Sequence, residues 1–115
     1  VVSPPDGDMA AYMASLSRLQ ARDDRLYLPG HGPPLPNPGP FASTLAAHRM
    51  EREAMVHAAL RSAGRATAQE LVPPVYGPAL DARLLPAAAR SLLAHLIKLE
   101  AEGAAAREGE HWSAR

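Results

Sequence analysis

The stretch Thr67-Ala68-Gln69-Glu70-Leu71-Val72-Pro73-Pro74 decides how this chain is read. A threonine followed three positions later by a glutamate has the reciprocal spacing of a capping box, in which each side chain satisfies a backbone N–H that the first helical turn leaves unpaired. A short helix is predicted to start there and to stop before Pro73-Pro74, because proline has no N–H to donate and its ring crowds the preceding turn. Upstream, Asn37-Pro38 offers an N-cap and a first-turn proline for a long helix that runs to about Ser62 and is closed by Gly64. Phe41, Leu45, His48, Met55, Val56, Ala59 and Leu60 fall near one face of it. Downstream, Pro86 opens a third helix whose Leu92, Leu93, Leu96, Ile97 and Leu99 form a wide apolar face ending at Gly103. Arg107-Glu108-Gly109-Glu110 is turn-like, its flanks can pair as a hairpin anchored by Trp112, and Arg65-Ala66 can add a third strand. Helix, short helix, helix and hairpin is the order of a winged helix-turn-helix.

The residues before Asn37 follow another pattern. Val1-Val2 is expected to be the tail of a strand stopped at Pro4-Pro5. Asp8 is placed to cap a helix from Met9 to Ala21, where Met9, Tyr12, Met13, Leu16 and Leu19 recur at three- and four-residue steps. Leu26-Tyr27-Leu28 is a short apolar strand that delivers the chain into Pro29-Gly30-His31-Gly32-Pro33. The five prolines from Pro33 to Pro40 make a stiff, extended stretch, which suits a boundary near Asn37. The expected fold is α+β and mainly α: a strand-helix-strand unit over residues 1–37, then the winged helix over 38–115. Such a unit cannot bury both faces of its sheet. Its helix is therefore expected to lie on the winged helix, on a second copy of the chain, or on a further part of a longer protein.

Composition narrows the function classes. The twelve Lys and Arg balance the twelve Asp and Glu over 115 residues, so charge alone makes no case for nucleic acid or an anionic membrane. With no cysteine, a disulfide framework, a thiolate metal site and a Cys nucleophile are all excluded, and any metal must take His, Asp or Glu. No apolar run approaches the ~20 residues of a membrane span. Val1-Val2-Ser3-Pro4-Pro5 does not read as a signal peptide, and a cytoplasmic protein is expected, although position 1 is not Met and an earlier segment is left open.

His31 is the leading candidate for chemistry. A histidine between two glycines after a short strand sits where the backbone turns tightly and can present an imidazole to a metal; the plain alternative is an exposed loop residue. Together, Pro4-Pro5-Asp6-Gly7-Asp8-Met9, Tyr12, Ser15-Leu16 with Leu19, and Leu28-Pro29-Gly30-His31-Gly32-Pro33 resemble the end of the catalytic domain in the lactamase-β-like branch of the metallo-β-lactamase superfamily. His48-Arg49 with Arg52-Glu53, Leu92-Leu93-Ala94-His95-Leu96 and Lys98-Leu99-Glu100-Ala101-Glu102-Gly103 resemble that branch's winged-helix extension.

The resemblance implies that residues 1–37 are the end of an αββα domain and that His31 is the last ligand of a dinuclear zinc centre activating a bridging water. The family's other ligands, a His-x-His-x-Asp-His motif, a further histidine and a bridging aspartate, would precede Val1. The chain alone is then expected to hold no complete catalytic set, to bind no zinc productively and to be inactive. Its partner would be the preceding catalytic portion or a second copy.

Asp8 follows a glycine, as the superfamily's bridging aspartate does, but its place at a helix start reads as an N-cap. His48, His57, His95 and His111 show no metal-clip spacing. Arg49 and Glu53, four apart, can form an exposed ion pair worth about 0.3–0.5 kcal/mol. His48 and Arg52 are either part of a solvated helix face or contacts for an anionic substrate. Two other function classes stay in view. One is an interaction or dimerisation module without catalysis. The other is a nucleic-acid-binding winged helix using Arg90 and Lys98, RNA before DNA, although Asp81, Glu100, Glu102, Glu108 and Glu110 interrupt any positive stripe.

Overall fold

The computed structural model describes residues 2–22, 26–27, 32–36 and 39–115. Helix α1 spans Met9–Ala21, and Asp8 caps it by accepting a hydrogen bond from the Ala11 amide at 2.7 Å. Two short strands follow, β1 (Leu26–Tyr27) and β2 (Leu35–Pro36), paired antiparallel. Helix α2 then runs from Gly39 to Ala63. Strand β3 (Ala66–Thr67), α3 (Ala68–Tyr76), a single 3₁₀ turn (Ala82–Leu84), α4 (Leu85–Ala101), β4 (Ala105–Glu108) and β5 (His111–Ala114) complete the order.

The second part is a winged helix. Its sheet has the order β3-β5-β4, antiparallel throughout, with Ala66 opposite Trp112 and Arg107 opposite Trp112 on the other side. Both halves of the capping box are formed: the Thr67 amide donates to Glu70 Oε1 at 3.0 Å and the Glu70 amide donates to Thr67 Oγ1 at 3.2 Å. The hairpin turns at Gly109, whose φ of +63° is in the left-handed region that side chains disfavour. Val56 and Leu60 of α2, Leu71, Val72 and Val75 of α3, Leu92, Leu96 and Leu99 of α4, and Trp112 of β5 form one buried core. Burial of large apolar side chains stabilises each by about 1.5–3 kcal/mol relative to exposure.

Helix α1 docks onto this domain through two smaller clusters. Met9 and Val2 pack on Ala94 of α4, while Leu16 packs on Ala42 and Ala46 in the first half of α2. Small residues on α2 and α4 let the larger side chains of α1 seat closely. Gln20 Nε2 donates to Ser43 Oγ at 3.2 Å across the α1–α2 seam. Of the covers open to the apolar stripe of α1, the winged helix itself supplies one.

Several expectations are corrected. Helix α3 does not stop before Pro73-Pro74 but runs through both to Tyr76. Gln69 and Glu70, the residues four positions back whose carbonyls lose their donors, are exposed to water, while Leu71, Val72 and Val75 hold the opposite face in the core. The buried face of the first half of α2 is made by Ala42 and Ala46, and Phe41 and Met55 are exposed, because a close α1–α2 approach favours small side chains. Val2 is outside any strand and is buried instead against Met9. The proline-rich stretch contains β2, which pairs with β1. Asn37, the expected boundary between the two parts, lies outside the described residues.

Candidate functional site

His31 lies outside the described residues. On its carboxyl side, Gly32 (φ +94°), Pro33 and Pro34 are exposed, and β1 and β2 bracket the segment as an antiparallel pair. Asp8 is held by the Ala11 amide at the start of α1, the capping role expected of it. Among the described residues, no group of three or more His, Asp or Glu side chains is placed to hold a metal ion.

The polar centre that the fold does assemble lies between α2 and α4. Glu53 Oε2 accepts from Lys98 Nζ at 2.8 Å, and Glu53 Oε1 lies 3.3 Å from His95 Nδ1. Lys98 also donates to Glu102 Oε2 at 3.0 Å, one turn further along α4. His95 is fully buried, and its Nε2 has no hydrogen-bond partner among the described residues. Burial opposes ionisation of Glu53, but hydrogen bonds from His95 and Lys98 and the Lys98 charge outweigh it and lower the pKa. Burial likewise opposes the Lys98 charge, and Glu53 and Glu102 reverse the balance, raising the pKa. This arrangement locks α2 to α4. It is a poor cation site, because an ammonium already occupies one oxygen of Glu53, the carboxylate beside His95.

Glu53 therefore pairs across 45 residues with Lys98, and the expected Arg49–Glu53 pair is replaced. The Arg49 guanidinium lies over the Tyr12 ring of α1, 5.1 Å from its centroid. Arg52 donates from Nη1 to the Val75 carbonyl at 3.1 Å and lies 4.3 Å from the Tyr76 ring centroid. It thus binds a carbonyl in the last turn of α3, where the helix dipole favours a cation. His48 is exposed, on a surface depression of about 430 Å³ that Arg49, Glu51 and Arg52 also line. His48 and Arg52 thus share one surface, with Arg52 held in place by α3.

On the α4 face that would read a nucleic acid, Arg90 is exposed beside an apolar groove of about 460 Å³ between α3 and α4. Lys98 is turned to Glu53 and Glu102. Arg107 of the wing donates to the Gly109 carbonyl at 2.9 Å and lies over Trp112. Arg83 is paired with Asp81. No helix among the described residues is long and apolar enough to cross a membrane. The Glu53–His95 contact went unread in the sequence; its one signal was a histidine set among leucines in Leu92-Leu93-Ala94-His95-Leu96.

Residues 67–112 match the family model described as the beta-lactamase associated winged helix domain. Two solved structures are similar over 93% of this chain. A beta-lactamase domain protein from Burkholderia ambifaria has a TM-score of 0.80 at 28% identity, and a metallo-beta-lactamase family protein from Thermus thermophilus has a TM-score of 0.75 at 29% identity. In each case this chain spans 33% of the length of the matched chain. No curated protein matches it.

Proposed function

We propose, for a chain that is the carboxy-terminal metallo-β-lactamase-fold portion of such a protein with its winged helix, that it supplies the last metal-ligand loop of a zinc-dependent hydrolase and a wall of the cleft. The observation that carries this reading is the extent of the likeness. It covers 93% of the chain, far more than the winged helix alone, and the sequence Gly30-His31-Gly32 lies within that chain. A neutral imidazole flanked by glycines suits one position in a zinc coordination shell.

The described residues do not by themselves fit a complete metal centre, so no hydrolytic step is assigned to them. In this reading the other donors come from the catalytic portion of a longer protein, which is also the partner of α1 and its loop, and the chain taken alone is inactive. In this reading the chain also provides position: α1 is docked on α2 and α4, and His48 and Arg52 on α2 serve to contact an anionic substrate.

The test is His31→Ala in a protein that joins this chain to the family's catalytic portion, with zinc content and hydrolysis of thioester, lactam and phosphodiester substrates measured together. Zinc stoichiometry and activity should both fall, activity by at least a hundredfold if His31 is a direct ligand. Retention of both would remove His31 from the metal shell.

A further inference from the structure

A cleft of about 280 Å³ lies where α2, α3, the 3₁₀ turn and α4 meet, lined by Arg49, Arg52, Tyr76, Leu80, Leu84, Ala87, Ala88 and Ser91. Its two halves differ chemically. On one side are two arginines. Among the described residues neither Arg49 nor Arg52 makes an ion pair with a carboxylate, although the chain has as many acidic as basic residues. Arg52 is fixed by the Val75 carbonyl and the Tyr76 ring, and that single hydrogen bond leaves other N–H donors of its fork free. Arg49 is held over Tyr12. Ser91 is only 7% exposed, and its hydroxyl makes no hydrogen bond among the described residues, so a further donor lines the cleft without a partner. On the other side Leu80, Leu84, Ala87 and Ala88 form an apolar wall, with Leu84 half exposed.

Positioned cationic donors that lack a counter-charge, facing apolar side chains across a small cleft, are the complement of one ligand type. The anion is met by charge-assisted hydrogen bonds, which the planar arginine fork makes to carboxylate and phosphate alike. The tail removes water from the leucine and alanine wall. The volume falls just below the ~300–1,000 Å³ of drug-sized sites, so the ligand is small. Glu51, the acidic neighbour on α2, lines the adjoining depression on the His48 side and not this cleft. Asp81 is turned to Arg83.

We propose that the Arg49–Arg52–Ser91 cleft binds a small amphiphilic oxyanion, a carboxylate or phosphate carried on a short aliphatic chain. The site needs no metal and no hydrolysis, so its failure and the failure of the metal-loop assignment are separable.

The experiment is titration of the chain with octanoate, octyl phosphate, octan-1-ol and inorganic phosphate, followed by calorimetry and by amide chemical shifts. Saturable binding of octanoate or octyl phosphate is expected, with shifts at Tyr76, Leu84 and Ser91, and the tighter of the two identifies the headgroup. Octan-1-ol and inorganic phosphate should each bind about tenfold or more weakly. Arg49→Gln should weaken the amphiphile by about tenfold. Leu84→Glu, at an exposed position that leaves folding intact, should abolish binding. No saturable binding, equal binding of octan-1-ol or of inorganic phosphate, or unchanged affinity in both variants would each overturn the proposal.

Discussion

Glu53 shows how much a single side chain in this protein depends on its surroundings. Its spacing from Arg49 suits a weak surface pair along one helix, yet its oxygens meet Lys98 and His95 of α4. Helical spacing specifies neighbours along α2 only; which face meets α4 is set by packing of Val56 and Leu60 into the core. The two pKa shifts give the pairing a pH window. Glu53 is lowered, so its contribution is present above its unfolded-state pKa of about 4.3 and is lost as the pH falls through the lower folded value. Lys98 is raised, so its contribution is present below about 10.4 and is lost as the pH rises through the higher folded value. Glu53→Gln is expected to lower stability by about 1–3 kcal/mol at pH 7 in urea denaturation. The difference from the unsubstituted protein should shrink below about pH 4. An equal difference at pH 7 and pH 3 would mean that the carboxylate charge is not what matters.

Helix α3 is the element in which local preference and tertiary packing disagree. Its start was legible to the residue, because the Thr67–Glu70 capping box is a local device that needs nothing from the rest of the chain. Its end was not. Proline inside a helix costs about 3 kcal/mol, and a local reading stops the helix there. The structure keeps both prolines because the last turn carries Val75 into the core and presents the Val75 carbonyl to Arg52. Pro73→Ala should therefore raise stability by about 1–3 kcal/mol, restoring a hydrogen bond to Gln69 without disturbing a buried contact. A thermal midpoint that falls would show that the proline ring contributes packing or restrains the unfolded chain more than the helix loses.

At the scale of the molecule, α1 belongs to the first part of the chain by sequence and to the winged helix by contact. Leu16, packed on Ala42 and Ala46, holds the seam. Leu16→Ala should weaken that docking by about 2–4 kcal/mol. In native-state hydrogen exchange, amides of α1 should then lose protection while those of α4 keep theirs, because the winged-helix core does not include α1. Uniform loss across both would show that the two parts unfold as one unit. The sequence by itself determined the helix starts, the caps at Asp8 and Thr67, the apolar face of α4, the wing hairpin and the family likeness. These depend on hydrogen bonds and periodicities a few residues long, or on motifs that survive as strings. Only the tertiary structure decided that Ala42 and Ala46 rather than Phe41 face α1, that α3 continues through its prolines, and that Arg49, Arg52 and Ser91 converge on one cleft. Each of those joins residues from separate helices, and the free energy that selects them is burial shared among elements, which no window of sequence contains.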